Sequence, residues 1–467
     1  MEKTKRAAEE GAGFPAKPIP LYYPGYDGAA AYRIPSLLVT REGTLLAFAD
    51  RRGSGSQDYG NINIVVRRKA AGDGAFGGPV RLTDLPVSGT SAAFTIDTAA
   101  VQDRVTGRIF AFMDMFPESR GLMEPRLLAP GTGYQSVEGE KRLVLYAAGG
   151  GEFGTVREED GIGRVCDREG RETGYTVTLG SDGLREMGNL YKDGTGRGNI
   201  YMLEDGPNRG ELHVLRTSYL WMAYSDDDGK SWSAPVDITP QVKEDWMLFL
   251  GVGPGAGIQL ADGTLAVPVY SANADVGGSQ SSALIFSRDH GKTWRLGGSP
   301  QTCLGNDRRT MADPRRLLTE AQAVQLSGGE VRLFMRNTCA GCLYSAVSRD
   351  NGFSWSRVEE IPAVPEVYCQ LSSLAYRKGG RDFVLLCSPA LPGRRRGTLY
   401  LGEAQEDGRL VWTHRRVLCA GGFQYSCLAL LENDGDTPRF GLLYEKNEDD
   451  AYSLVYTEFD ESFLLGR

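Results

Sequence analysis

The sequence has few of the residues that build disulfide or metal frameworks. It contains eight cysteines and three histidines in 467 residues, which is too sparse for a disulfide scaffold. One pair, Cys339 and Cys342 in CAGC, has the spacing of a metal or redox site. Neither a second CxxC nor a nearby histidine accompanies it. We therefore interpret both residues as ordinary, mostly buried thiols.

Long apolar runs and an excess of positive charge are also absent. No stretch approaches the roughly 18 apolar residues that a membrane helix requires, so we predict no membrane span. The formal net charge is -8, which argues against binding to nucleic acid, because such binding needs a basic face. Any anionic ligand must instead be met by a local cluster of arginines.

The N-terminal stretch MEKTKRAAEEGAGFPAKPIP has basic residues but no apolar segment after them. It is therefore not a signal peptide as written, and we predict a flexible segment over residues 1–19. The sequence taken literally indicates a cytoplasmic protein. A secreted or cell-surface location stays open, because a leader can be missing from the sequence.

Short apolar or alternating segments dominate the chain, among them YRIPSLLV, GTLLAFAD and NINIVVRR. They are rich in Val, Ile, Phe and Tyr and are separated by Gly, Asp and Asn, which is typical of many consecutive β-strands. The 61 glycines agree with numerous tight turns. Such a series of strands must close into a barrel, a sandwich, a propeller or a solenoid, or it leaves edges exposed.

A repeated octapeptide favours the propeller. SDDDGKSW at Ser225–Trp232 returns as SRDHGKTW at Ser287–Trp294 and as SRDNGFSW at Ser348–Trp355, with spacings of 62 and 61 residues. A fixed period of this size indicates an array or a propeller, and each unit holds roughly four short strands, as a blade does. A worn copy lies at Lys69–Phe76. The predicted fold class is an all-β propeller.

The chain between the worn copy and Ser225 is longer than one or two periods. Much of the excess is charged and glycine-rich and contains short strands. We predict a β-rich insertion over 125–202, with 20–124 and 203–467 forming the propeller.

The octapeptide itself is better explained as scaffold than as a metal site. An EF-type calcium loop needs oxygen ligands at positions 1, 3 and 5 and a glutamate at position 12. Placing Gly229 at position 6 puts Tyr224 at position 1 and Pro235 at position 12. In the alternative, the aspartate accepts from backbone N–H groups, the glycine permits the turn and the tryptophan packs on the blade.

The octapeptides, together with YRIP at Tyr32–Pro35, resemble the sialidase (neuraminidase) family of glycoside hydrolases. The resemblance runs from about Tyr22 to the C-terminus and is strongest to the larger bacterial exo-α-sialidases with a β-rich insertion. It implies a six-bladed propeller, a retaining two-step hydrolysis, and neither a metal nor an organic cofactor.

The resemblance also implies an arginine triad for the substrate carboxylate. Arg33 in YRIP, Arg336 in VRLFMRN and Arg394 in SPALPGRRRG match the family strings. Arginine suits this role because its planar guanidinium meets a carboxylate bidentately and stays charged. The third position stays open, because a shift along the run would replace Arg394 by Arg395 or Arg396.

The implied catalytic residues are Tyr425 as nucleophile, Glu320 as the base that activates it, and Asp58 as acid/base. A neutral tyrosine suits a carbon that carries a carboxylate, since an anionic attacker would be repelled. Arg52 matches a family arginine near the 4-hydroxyl, and Asp97 a carboxylate near the N-acyl group. The glycine-rich stretch Phe249–Leu260 is interpreted as a rim turn.

The predicted function is therefore an exo-α-sialidase, expected to be a monomer, that removes terminal α-linked sialic acids from sialylated glycans or glycoproteins. A trans-sialidase or intramolecular trans-sialidase would use the same residues. A propeller that binds sialylated glycans without cleaving them would need the arginines but not Asp58, Glu320 and Tyr425 together.

Overall fold

Six antiparallel sheets, each built mainly of four strands, form the blades of a β-propeller, which confirms the predicted fold class. The computed structural model describes residues 15–88, 91–180, 183–273, 279–305, 309, 316–339, 341–433, 437–448 and 451–466. Most of the predicted N-terminal segment, residues 1–14, lies outside the described residues.

The first strand and the first blade come from the N-terminal part of the chain. In order, they are β1 (Ile19–Tyr22), then blade 1 with β2 (Ala31–Val39), β3 (Leu45–Arg52), β4 (Ile62–Lys69) and β5 (Pro79–Arg81). A short hairpin of β6 (Val87–Ser88) and β7 (Ser91–Ala92) leads into the second blade.

A second sheet interrupts blade 2. The blade begins with β8 (Phe94–Gln102) and β9 (Ile109–Phe116). An eight-stranded sheet follows, made of β10 (Tyr134–Val137), β11 (Glu140–Ala147), β12 (Glu152–Glu159), β13 (Ile162–Asp167), β14 (Glu172–Thr178), β15 (Asn189–Lys192), β16 (Thr195–Asn199) and β17 (Leu212–His213). The blade ends with β18 (Tyr219–Ser225) and β19 (Val236–Asp237). The separate sheet thus runs from Tyr134 to His213, whereas the division into domains at 125 and 202 stays a prediction.

Blades 3 and 4 follow the short helix α1 (Thr239–Val242). Blade 3 contains β20 (Met247–Val252), β22 (Ile258–Gln259), β23 (Leu265–Asn273), β24 (Gln280–Ser287) and β25 (Arg295–Leu296), whereas the intervening β21 (Gly255–Ala256) joins the sheet of blade 2. Blade 4 contains β26 (Leu318–Gln325), β27 (Val331–Asn337), β28 (Cys342–Ser348) and β29 (Glu359–Pro365).

The last two blades complete the ring. Blade 5 contains β30 (Ser372–Lys378), β31 (Arg381–Ala390), β32 (Arg395–Ala404) and β33 (Leu410–Gly422), and blade 6 contains β34 (Ser426–Glu432), β35 (Arg439–Glu448) and β36 (Ala451–Asp460). The outer strand of blade 6 is β1, which pairs antiparallel with β36. Both ends of the chain therefore contribute to one sheet, and the helix α2 (Glu461–Leu465) follows it.

Apolar side chains between neighbouring blades form the core. One cluster joins Phe112 and Leu220 of blade 2 to Leu250 and Val267 of blade 3, all almost completely buried. Each blade packs against a neighbouring blade on both faces, so its strands bury side chains on both sides. This explains why many of the predicted strands are continuous apolar runs.

The first strand of each blade runs near the axis, and strands one and three of a blade are parallel to each other. Connections from strand two to strand three, and from one blade to the next, therefore lie at the end where the first strands begin. Turns between strands three and four lie at the opposite end. This polarity separates the loops that carry the candidate site from the octapeptides.

The octapeptides form the turns between strands three and four, as predicted for scaffold. In the first copy Asp227 Oδ1 accepts from the backbone N–H of Ser231 at 2.9 Å, and Ser225 Oγ accepts from that of Gly229 at 2.9 Å. The other two copies repeat this pattern. The worn copy at Lys69–Phe76 lies in the equivalent turn, between β4 and β5.

The fourth residue of each octapeptide also contacts the preceding blade. Asp228, His290 and Asn351 all have φ near +60° (61°, 62° and 62°), a left-handed conformation that polar residues adopt more readily than most. Asp228 accepts from Thr40 and Thr44 of blade 1. The side chains of His290 and Asn351 bond to Asp103 and Asp262, respectively. The repeat therefore fastens neighbouring blades as well as its own turn.

The glycine-rich stretch Phe249–Leu260 is not a rim turn, and that interpretation was wrong. It contains most of β20 and all of β21 and β22, and β21 pairs in parallel with β8 near the axis. The glycines permit close contact between blades, since a Cβ on Gly253 would lie 2.7 Å from the carbonyl oxygen of Ala321 in blade 4.

Candidate functional site

A polar cavity of about 280 Å³ opens at the end of the propeller where the first strands begin. Its lining combines arginines, carboxyl groups and three tyrosines with an apolar wall. Seven of the eight predicted site residues line it: Arg33, Asp58, Asp97, Glu320, Arg336, Arg394 and Tyr425. Arg52 lies behind the wall, fully buried, and contacts Asp58.

Irregularities in the strands turn several of these side chains into the cavity. The pairing register shifts between Arg33 and Ser36 in β2, between Ile96 and Thr98 in β8, and between Leu318 and Ala321 in β26. Bulges of this kind redirect side chains and are common beside functional sites. Asp97 is the extra residue of the second bulge, with φ 59°, and Glu320 lies within the third.

The tyrosine at the base of the cavity is held by an acid and a guanidinium. Tyr425 Oη donates to Glu320 Oε1 at 2.5 Å and accepts from Arg336 Nη1 at 2.8 Å. Arg336 also donates to the second oxygen of Glu320. Burial raises the pKa of Tyr425 well above its ordinary value, and Arg336 only partly offsets this. The hydroxyl is therefore neutral in the free protein, with a carboxylate placed to accept its proton.

The other two arginines of the predicted triad are also held by hydrogen-bonded partners. Arg33 pairs with Glu445 at 3.2 Å and with Asp58 at 2.9 Å. Arg394 donates to the side-chain oxygen of Gln424 at 3.1 Å and to the carbonyl of Tyr368 at 2.6 Å. Arg394, rather than Arg395 or Arg396, lines the cavity.

Tyr368 connects two of these arginines and was not predicted. The guanidinium carbon of Arg336 lies 3.8 Å from the centre of its ring, a distance at which a cation is attracted to the aromatic face. Its own carbonyl accepts from Arg394. Tyr368 therefore limits the motion of both guanidinium groups.

Asp58 lies in the loop between β3 and β4, between two arginines. Its Oδ1 accepts from Arg52 at 2.6 Å and from Arg33 at 2.9 Å. Burial alone would raise the pKa of Asp58, but the two arginines outweigh it and hold the pKa below its ordinary value. Arg52 also pairs with Asp50 at 2.9 Å, and burial raises the pKa of Asp50 to about 7 although Arg52 lowers it.

Two buried carboxyls meet on the blade 2 side of the cavity. The bulge at Asp97 brings it beside Asp114, because Ile96 pairs with Asp114 across the sheet. Burial raises the pKa of Asp97 well above its ordinary value, and Asp114 raises it further. The pKa of Asp114 is raised by its own burial, although Asp114 Oδ1 accepts the N–H of Val252 at 2.8 Å.

The residues that sequence reasoning missed are the supports of the predicted ones. Glu445 bonds to Arg33, to the N–H of Ile34 and to that of Tyr425. Its string LLYEKN carries no motif that could have singled it out. Asp114 lies in the apolar run FAFMDMF, where a lone acid in a buried strand was a usable signal.

No group of three or more His, Cys, Asp or Glu side chains that could hold a metal ion occurs within the described ranges. In that same part of the chain no helix is both long and apolar enough to cross a membrane.

Comparison with known proteins identifies the family. The BNR repeat-like domain matches residues 195–439, which is more than half of the chain. Sialidase-2 of Cricetulus griseus is 30% identical over 274 residues, covering 53% of this chain and 68% of that protein. The chain belongs to the sialidase family.

Two further sialidase-family members match over most of the chain. The anhydrosialidase of Macrobdella decora is 29% identical over 492 residues, which cover 89% of this chain and 58% of that protein. The intramolecular trans-sialidase from Ruminococcus gnavus, solved with oseltamivir carboxylate, is 27% identical with a TM-score of 0.80, covering 95% of this chain and 97% of that one. The chain thus spans little more than half the length of the Macrobdella decora protein.

Proposed function

We propose that this protein removes terminal α-linked sialic acids from glycans by hydrolysing the glycosidic bond. The reaction is a retaining two-step mechanism with Tyr425 as nucleophile. The observation that carries the proposal is the hydrogen-bonded set Tyr425, Glu320 and Arg336, with Asp58 on the wall of the same cavity. A module that only binds sugars has no need of a tyrosine bonded to a buried carboxylate.

The three arginines suit the carboxylate that sialic acid carries on its anomeric carbon. Arg33, Arg336 and Arg394 line one cavity and are each oriented by a fixed partner. Preorganised guanidinium groups bind a carboxylate without first paying the entropy of ordering long side chains. The carboxylate would set the position of the anomeric carbon relative to Tyr425.

In the first step, Tyr425 attacks the anomeric carbon as its proton passes to Glu320, and Arg336 stabilises the developing phenolate. Asp58 protonates the glycosidic oxygen of the leaving group. In the second step, Asp58 takes a proton from water, the water attacks the anomeric carbon, and Tyr425 regains its proton from Glu320.

Asp58 can act as the proton donor because bound substrate would raise its pKa. In the free protein, Arg52 and Arg33 hold the pKa of Asp58 below its ordinary value. An anionic substrate would neutralise the charge of Arg33 and expel water from the cavity, and both effects raise the pKa of a nearby carboxyl. Substrate binding would therefore prepare Asp58 to donate a proton.

Intramolecular transfer is the second candidate, and one comparison favours it. The Ruminococcus gnavus structure, which matches 95% of this chain, is an intramolecular trans-sialidase. In that reaction a hydroxyl of the bound sugar would replace water in the second step, giving an anhydro sugar. Both candidates share the first step and every residue named above.

Product analysis separates the possibilities. The protein is incubated with 3'-sialyllactose, and the products are followed by NMR and mass spectrometry, with Tyr425→Phe as the inactive control. Free sialic acid released first as the α-anomer supports retaining hydrolysis, whereas a product lighter by one water supports intramolecular transfer. If the sialoside binds but stays intact across a pH series, the proposed cleavage is wrong.

A further inference from the structure

We propose that Asp50, a fully buried acid on β3, is a positioning residue for Asp58: it orients Arg52, and Arg52 holds the loop that carries Asp58. This inference rests on the proposed function, in which Asp58 protonates the leaving oxygen. It adds the residue on which the delivery of that proton depends. Asp50 lies behind the residues that line the cavity, so it acts through the groups that it contacts.

Both carboxyl oxygens of Asp50 accept hydrogen bonds from groups of the site. Oδ2 accepts from Arg52 Nη2 at 2.9 Å, and Oδ1 accepts from the backbone N–H of Asp97 at 3.1 Å. Asp97 is the bulge residue of β8, so one carboxyl joins blade 1 to blade 2 behind the cavity. Because Asp50 is 0% exposed, solvent cannot replace an acceptor that is lost there.

Arg52 uses a single nitrogen to hold the loop. Its Nη1 donates to the carbonyls of Ser56 and Gln57 at 2.6 and 2.9 Å and to Asp58 Oδ1 at 2.6 Å. Nη2 donates to Asp50, whereas the buried Nε has no acceptor among the described residues. Since a guanidinium group is planar and rigid, the bond to Asp50 sets the direction in which Nη1 points.

The loop between β3 and β4 depends on Arg52 because it contains neither helix nor strand. Its ends are joined where the N–H of Gly53 donates to the carbonyl of Asn61 at 2.8 Å. Between these ends, Asp58 bonds to Arg52 and Arg33. The side chain of Asp58 is 38% exposed, so packing does little to fix it, and its position follows the two arginines.

Three ion pairs in series link Asp50 to Arg52, Arg52 to Asp58, and Asp58 to Arg33. Asp50 is therefore one side chain away from the group that donates the proton. Tyr425 is not among the partners of Asp50 in the described part of the chain. A change at Asp50 should affect proton donation by Asp58 more than attack by Tyr425.

The test uses two substrates that carry the same sialic acid. 3'-Sialyllactose needs a proton on its leaving oxygen, whereas sialosyl fluoride releases fluoride without one. Asp50→Asn keeps the shape of the side chain but offers one oxygen acceptor in place of two. We expect its kcat/KM for sialyllactose to fall about 10–100-fold, and that for the fluoride to stay within about threefold of the wild type. An unchanged ratio of the two values, whether or not both fall, overturns the inference.

A matched control is Asp103→Asn. Asp103 is also 0% exposed and accepts from Gln259 Nε2 at 2.8 Å and from the N–H of Val105 at 3.0 Å, but it lies at the end of the propeller opposite the cavity. This variant should unfold at a lower temperature and keep the wild-type substrate ratio, when kinetics are measured at a temperature at which every variant is folded.

Asp50→Glu replaces Asp50→Asn in the test if the asparagine variant does not fold. In a fully enclosed site the extra methylene must move the carboxylate relative to Arg52, so the ratio of sialyllactose to fluoride turnover should still fall. A wild-type ratio in Asp50→Glu would then overturn the inference.

Hydrogen exchange separates this inference from the proposed function. If the wild-type protein cleaves neither substrate, the proposed function fails, but the contacts of Asp50 with Arg52 and of Arg52 with the loop can still be tested. Amide exchange in peptides covering 53–60, followed by mass spectrometry, should be at least about fivefold faster in Asp50→Asn than in the wild type, and unchanged in Asp103→Asn. Exchange at the wild-type rate in Asp50→Asn would show that the loop does not depend on Asp50, and the inference would be wrong whatever the activity.

Discussion

Glu320 lies on β26 of blade 4 and Tyr425 immediately before β34 of blade 6, 105 residues apart in sequence, yet the tyrosine hydroxyl donates to the carboxylate at 2.5 Å. Arg336 donates to both partners. Because the environment of the free protein raises the pKa of Tyr425, the hydroxyl keeps its proton until a substrate arrives. In the proposed mechanism, the carboxylate that accepts the proton of Tyr425 is therefore already hydrogen-bonded to it before substrate binds.

Replacing Tyr425 by Phe should lower kcat on sialosides by at least about 10³-fold, since the attacking oxygen is lost. Binding of free sialic acid, measured by calorimetry, should change only a few-fold, because Arg33, Arg336 and Arg394 keep their partners. Activity close to that of the wild type would exclude Tyr425 as the nucleophile.

Replacing Asp58 by Asn should affect substrates according to their leaving groups. Sialyllactose needs protonation of its leaving oxygen, so its kcat/KM should fall by about 10²–10⁴-fold. Sialosyl fluoride, whose fluoride leaves without a proton, should lose much less in the first step. The comparison is made by steady-state kinetics on both substrates, and equal losses would contradict a role for Asp58 as general acid.

The propeller and most of the cavity could be predicted because their signals are local. The octapeptide spacing gave the blade period, and strings such as YRIP marked Arg33. The supports could not be predicted in this way. Arg33 and Glu445 pair across 412 residues, and the contact exists only because blade 6 closes beside blade 1. Neither the bulge at Asp97 nor the stacking of Tyr368 on Arg336 has a sequence signature.

The carboxyl of Asp114 should make the folded state less stable as the pH rises. Its folded pKa is raised above the ordinary value of 3.8, so the folded state retains a proton that the unfolded chain releases. Stability from this group is complete below about pH 4 and is lost as the pH rises toward the raised pKa. Asp50 and Glu320 raise the pKa of Asp114 further through their negative charge. Asp97 also faces Asp114, and its own pKa is raised by Asp114.

Asp114→Asn tests this, because the amide matches a protonated carboxyl in shape and its oxygen can still accept from Val252. The variant should unfold like the wild type near pH 4 and be more stable by about 1–3 kcal/mol at pH 8. Thermal unfolding at pH 4, 6 and 8 without ligand checks this. A variant that loses stability relative to the wild type as the pH rises would show that the raised pKa is not the controlling factor.

The octapeptides should affect stability without affecting chemistry. Asp228 accepts from Thr40, Thr44 and Arg68 of blade 1, and the pKa of its carboxyl is lowered because these bonds outweigh the effect of burial. Asp228→Ala removes all three bonds and leaves their donors without an acceptor, so the free energy of unfolding should fall by about 1–3 kcal/mol.

The neighbouring Asp226→Ala is the matched control, because its ion pair with Arg108 is exposed and such pairs contribute at most about 1 kcal/mol. Both variants should keep the wild-type KM and kcat at temperatures well below unfolding, since these turns lie at the end of the propeller opposite the cavity. Chemical denaturation measures the free energy of unfolding, and steady-state kinetics measures KM and kcat. If Asp228→Ala changes KM at a temperature at which the variant is fully folded, the contact between blades 1 and 2 positions Arg33 or Asp58 as well as holding the blades together.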